Sequence, residues 1–265
     1  MQARSALFDL YGDHLRSRGG RAPVSALVRL LAPLGIAAPA VRQAVSRMVR
    51  QGWLTPVRQP RAGTRYALTD RAVRRLDDAA VRIYRTRAAG WDGRWHLLVT
   101  SPVRARTARE RLEAGLRFLG YARLAGTTWI APRPSGEVEG LLAAAGVHAD
   151  SFLAGEPTDP KALARRAWDL DALGAAYRDW LADARTLLDG TQDAERDDET
   201  AYALRSRLVH EWRKFLFTDP GLPRSLLPDD WPGDEAAAYF DTHAARLHPA
   251  ATRFVDACLA PPGGT

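Results

Sequence analysis

The stretch from Pro39 to Leu68 changes its hydrophobic period once, and that change constrains the fold more than any other feature of the chain. In PAVRQAVSRMVRQGW, Val41, Ala44, Val45, Met48 and Val49 recur at helical spacing, with Pro39 at the start and Gly52 at the end. The spacing predicts a helix with one core face. Arg42, Gln43, Ser46, Arg47 and Arg50 fall on the other side; all five can donate hydrogen bonds and none is negative. After Gly52 the period shortens. WLTPVRQPRAGTRYALT reads as two short strands around a turn from Pro60 to Gly63, a hairpin carrying Arg58, Arg61 and Arg65. A solvated helix face ordinarily mixes both signs of charge, so a one-signed stripe beside a cationic hairpin points to a polyanion.

Upstream, Ser5 to about Arg18 reads as a first helix with Ala6, Leu7, Leu10 and Leu15 inward, broken by Gly19-Gly20. Val24 to about Leu31 reads as a second, and APLGIAAP as a turn. Two helices, a recognition helix and a two-stranded wing make a winged helix-turn-helix, whose recognition helix enters the major groove. On that reading Arg42, Gln43, Ser46 and Arg47 are candidates for base edges, since Arg pairs with guanine and Gln with adenine. Arg50, Arg58, Arg61 and Arg65 are candidates for phosphates. The charge distribution agrees. Residues 1–90 hold 17 Arg against 5 Asp, whereas residues 91–265 hold 21 basic against 26 acidic residues. A strongly basic first third on a mildly acidic remainder suggests one module for a polyanion and another task for the rest.

A helix follows, with Asp70 expected as its N-cap and Gly90 as its end. From there RWHLLVTS reads as a strand and VRARTARERLEAGLRFLG as a helix. YARLAGTTWIAP reads as a hairpin turning near Gly126, SGEVEGLLAAAG as a helix and VHADSFLAG as a strand. That order is the ferredoxin-like one. Nucleases built on this fold carry a metal-binding aspartate at the end of the first strand. Thr100-Ser101-Pro102 stands there, which argues against the alternative, a metal-dependent nuclease. No G-x-S-x-G, phosphate-binding glycine loop or H-E-x-x-H occurs, so the chain reads as no enzyme, with no metal.

The last third reads as helical, with Trp168, Leu173, Tyr177, Trp180 and Leu181 inward and an exposed run TQDAERDDET before another helix. His210, Arg213 and Lys214 on that helix suit either a solvated face or an anion site. The DPGLP stretch reads as a helix end and tight turn pinned by Leu222, Leu226, Leu227 and Trp231. The fold class is therefore α+β and multidomain. Residues 1–70 would be the winged helix-turn-helix, 71–90 a connector helix, 91–157 a ferredoxin-like α/β sandwich and 158–265 a helical C-terminal domain. Apolar runs as short as HLLV cannot span a membrane, the start of the chain lacks the pattern of an export signal, and the single Cys258 cannot form an internal disulfide; the expected location is cytoplasmic.

The blocks VRQAVSRMVRQGWL, WDGRWHLLVTSPVR, AWDLDALGAAYRDWL and KFLFTDPGLPRSLLPDDWPG, in that order, resemble the PaaX family of transcriptional repressors, named for control of phenylacetic acid degradation. The resemblance spans nearly the whole chain, and DPGLPRSLLPDDWPG is its most specific part. It implies a repressor of aromatic acid catabolism that binds palindromic double-stranded operator DNA as a homodimer. It also implies release by an acyl-CoA inducer such as phenylacetyl-CoA, with no bound cofactor. Such a thioester needs cations for its phosphates and an apolar slot for its acyl group; Trp95, Trp129, Arg213 and Lys214 supply that chemistry.

Overall fold

Glycine punctuation and apolar spacing fix the elements of the first 84 residues. The structure is a computed structural model and describes residues 1–59, 63–84, 90–155, 159–191 and 197–260. Helix α1 (Ala3–Leu10) runs into a wider π turn over Tyr11–Leu15 and a 3-10 turn over Arg16–Arg18, closed by Gly19 at φ +79°. The single helix expected from Ser5 to Arg18 is thus three different coils. No local signal explains the change, but Asp13 in the π turn is gripped by Arg205, 192 residues away. Strand β1 (Arg21–Pro23), helix α2 (Val24–Leu31) and helix α3 (Ala38–Arg50) follow, then strands β2 (Leu54–Gln59) and β3 (Gly63–Leu68). These strands form an antiparallel sheet of order β1-β3-β2.

Helix α4 (Asp70–Ile83) begins one residue earlier than expected: Thr69, not Asp70, is its N-cap. Thr69 Oγ1 accepts from the Ala72 amide at 3.3 Å while donating to the Gly52 carbonyl at 2.8 Å. A hydroxyl can do both at once, and Asp70 is left in the first turn, where its charge suits the helix dipole.

Strands β4 (Trp95–Thr100), β5 (Ala122–Ala125), β6 (Thr128–Ala131) and β7 (Ala149–Ala154) form a second antiparallel sheet of order β5-β6-β4-β7. Helices α5 (Arg106–Phe118) and α6 (Val138–Ala145) cover one face of it. Leu98, Leu112, Leu116, Tyr121, Trp129 and Val138 fill the space between. Gly115 lets the two helices close up, since a Cβ there would sit 2.5 Å from Leu141 Cδ1. Trp95 points to the opposite face and stacks on Trp168.

Helices α7 (Pro160–Ala167), α8 (Leu170–Leu188), α9 (Asp198–Trp212) and α10 (Pro232–Leu259) complete the chain. The Asp219-Pro220-Gly221 turn is structural: Asp219 accepts from the Gly221 amide at 2.7 Å and from Tyr177 Oη at 2.5 Å, and Leu222, Leu226, Leu227 and Trp231 are buried. By packing the chain divides into two units. The first is Met1–Thr86, Trp180–Arg213 and Ala236–Thr265; the second is Arg87–Asp179 and Lys214–Glu235. In the first unit Tyr202, Ala251, Val255 and Cys258 join the core built by Leu7, Leu27, Leu30, Val41 and Met48. The two-sheet, helix-rich architecture is α+β and multidomain. Among the described residues no helix is long and apolar enough to cross a membrane.

Candidate nucleic-acid interface

Helix α3 is stopped by Gly52 at φ +70°, with the Gly52 amide donating to the Val49 carbonyl at 3.0 Å and the Trp53 amide to Met48 at 2.9 Å. This is the Schellman pattern, which needs a left-handed residue and so favours glycine. Val41, Ala44, Val45 and Met48 are buried, held against α1 and α2. Arg42, Gln43, Ser46, Arg47 and Arg50 are all exposed, as the spacing predicts. α3 carries no carboxylate, and among the described residues no ion pair involves Arg42, Arg47 or Arg50. Five donors between Arg42 and Arg50 therefore present an uncompensated positive face to solvent.

The hairpin places its cations less uniformly. Arg58 is exposed and pairs in register with Thr64, whereas Val57 pairs with Arg65. Opposite partners in an antiparallel ladder share a face, so Arg58 and Arg65 lie on opposite faces. Arg65 is half-buried in the central strand, with its Nε buried and without a hydrogen-bond partner. Arg61 lies outside the described residues. One cation was missed by sequence reasoning. Arg71, exposed on α4, has its guanidinium 4.6 Å from the Trp53 ring, and Trp53 meets Phe8 edge-on at 5.1 Å. The signal was weak, because Arg71 is one of several arginines in a helix whose apolar spacing reads as structural.

Of the four residues suggested for a thioester, Trp95 and Trp129 do not meet. Leu98 pairs with Trp129, which puts Trp129 on the helix-covered face of the second sheet, while Trp95 occupies the other face; both are buried. Arg213 is ion-paired with Asp9, whose other oxygen receives His210 Nδ1 at 2.7 Å. Arg213 and Lys214 also lie beyond the end of α9, in a 3-10 turn over Arg213–Phe217, rather than on one helix with His210. Trp129 does border a cavity of about 190 Å³, with Arg109, Glu113 and Arg123 on its wall and Thr100 and Ser101 at its strand end. The Arg123 guanidinium lies 4.9 Å from the Trp129 ring and pairs with Glu113. Among the described residues no group of three or more His, Cys, Asp or Glu side chains is placed to hold a metal ion.

Behind the exposed stripe lies a buried ionic seam. Arg205 on α9 donates to both oxygens of Asp13, at 2.9 and 2.6 Å, and Tyr84 also donates to Asp13. Burial would raise the Asp13 carboxyl, but His14 and Arg205 outweigh it and hold the group below the ordinary carboxylate range. His14, beside it, is almost wholly buried; that burial, more than the neighbouring Asp13 opposes it, pulls the imidazole down to about 4.

Comparison with known proteins covers most of the chain. Residues 2–72 match the family described as PaaX-like protein, residues 88–164 the PaaX protein central Cas2-like domain, and residues 168–257 the PaaX-like protein C-terminal domain. The transcriptional repressor PaaX of Escherichia coli K12 is 33% identical over 262 residues, spanning 95% of this chain and 82% of the relative. Among solved structures, the uncharacterized protein Rv0674 from Mycobacterium tuberculosis is similar with a TM-score of 0.59 and 27% identity, covering 98% of this chain and 99% of the other.

Proposed function

The chain belongs to the PaaX family and is a DNA-binding transcriptional repressor rather than an enzyme, and from that premise we propose that it reads operator DNA with the outer face of α3. The observation that carries the proposal is the segregation on α3: every inward position is apolar, and every outward donor is uncompensated. Residues 1–70 then act as a winged helix-turn-helix with β2 and β3 as the wing. Residues 71–90 act as a connector, 91–157 as a ferredoxin-like domain and 158–265 as a helical domain, although the packing units cut across the first and the last of these. Arg42, Gln43, Ser46 and Arg47 meet base edges; Arg50, Arg58 and Arg61 meet phosphates, with Arg65 behind the wing and Arg71 as a further phosphate contact.

The repressor binds a palindrome as a homodimer in the cytoplasm and controls aromatic acid catabolism. An aryl-acyl thioester such as phenylacetyl-CoA releases it by favouring a dimer in which the two α3 helices no longer match major grooves about 34 Å apart. For that ligand Trp129 is the residue that borders the cavity with Arg109 and Arg123; Trp95, on the other face of the sheet, Arg213, paired with Asp9, and Lys214, in the turn after α9, do not line that cavity. Gel shifts on operator and scrambled duplexes test the α3 reading. Arg47→Ala weakens operator binding by about 1–3 kcal/mol, the scale of one bidentate base contact, and leaves scrambled DNA little changed. Equal binding of both duplexes to wild type and variant overturns it.

A further inference from the structure

The chain passes between its two packing units four times, and an aromatic residue of the first unit stands at each passage. Tyr84 lies just before the first, Trp180 opens the second, Trp212 precedes the third and Phe240 follows the fourth. The four rings form one knot: Trp212 stacks on Phe240 at 4.8 Å and meets Trp180 edge-on at 4.7 Å, and Tyr84 lies 6.2 Å from Phe240. Trp212 Nε1 donates to the Ile83 carbonyl at 3.1 Å. Arg205 lies against this knot. Besides its two bonds to Asp13, it donates through Nη1 to the Ala244 carbonyl of α10 and through Nη2 to Tyr84 Oη at 3.5 Å. One guanidinium thus ties together the end of α1, the end of α4, α9 and α10, with Arg205 and Asp13 side chains only 5% and 7% exposed.

Stability alone explains such a pair poorly, since apolar residues of similar volume often replace a buried ion pair without loss. Geometry explains it better. Asp13 lies in the π turn that follows α1 directly, and α1 packs along α3. We infer that Arg205 is a positioning residue for operator binding: by holding Asp13, Tyr84 and Ala244 together it fixes the pose in which α1 presents α3 to a groove, at the place where the chain enters and leaves the second unit. Base contacts depend on that pose, whereas phosphate contacts to any duplex tolerate its change. The inference rests on the α3 reading above.

The test uses the full chain and two duplexes, one selected by the wild-type protein from a random-sequence pool and one scrambled. Arg205→Lys keeps the charge but not the fork, Tyr84→Phe removes one hydroxyl, and Asp13→Leu with Arg205→Met replaces the pair by apolar bulk. The double variant is expected to melt near wild type and to bind the scrambled duplex as wild type does, yet to lose about tenfold in operator affinity, the scale of one base contact. The two conservative variants lose several-fold and decide the matter if the double variant does not fold. Wild-type operator affinity in every folded variant overturns the inference. Arg47→Ala, run alongside, separates the readings: if it weakens operator binding while the three node variants do not, only the role of Arg205 falls; if it too binds as wild type, the α3 reading falls and takes the inference with it.

Discussion

Helices α3 and α9 both carry arginines, and the two use them in opposite ways. On α3, Arg42, Arg47 and Arg50 point outward with no carboxylate on their helix. On α9 Arg205 points inward to Asp13, and just beyond the helix Arg213 joins His210 on Asp9. The positive charge of the chain is therefore not one reservoir. Asp9 and Asp13, two of the five acids among residues 1–90, pair internally with residues from the C-terminal half, and α3 itself carries no carboxylate. Burial and partner, not residue type, decide whether an arginine is a strut or a contact.

The comparison can be broken most sharply at the seam. Asp13→Ala strands the Arg205 guanidinium and is expected to cost about 3–5 kcal/mol in denaturant unfolding. Arg253→Ala, which breaks an exposed pair with Asp198, costs under about 1 kcal/mol. Comparable costs for the two would mean that the seam is not a strut.

A smaller effect follows from pH. His14 titrates near 4 in the folded chain against an ordinary 6.5, so between those values the unfolded chain binds a proton that the native one refuses. Stability then rises with pH across that window, and falls by about 2 kcal/mol from pH 7 to pH 5. His248, also pulled down chiefly by burial, adds in the same direction. Thermal melts across the window should show the slope in wild type and a shallower one in His14→Asn; parallel slopes would remove His14 from the account.

The same contrast explains what the sequence reveals. The faces of α3, the hairpin and the strand–helix order of the second sheet rest on periodicities within about twenty residues, and each is visible in the letters. The seam is not, because Asp13 and Arg205 are 192 positions apart and neither stands out among its neighbours. α10 is legible in outline, since the last third reads as helical: Ala236, Phe240, Ala244, Leu247, Ala251, Val255 and Cys258 keep helical spacing and are buried, and the helix continues through Pro249. The separation of Trp95 from Trp129 has another cause: residue chemistry was legible, but strand register, which puts the two on opposite faces, was not.

The central claim is that the outward arginines of α3 meet DNA. It is tested most directly by the salt dependence of operator binding for wild type and for Arg42→Ala/Arg47→Ala/Arg50→Ala. Each of the three sites is exposed, so the thermal midpoint should hold, the affinity should collapse, and the slope of log affinity against log salt should fall by about one unit, for the phosphate contact of Arg50. An unchanged slope and affinity in a folded triple variant would contradict the claim and place the DNA on another face.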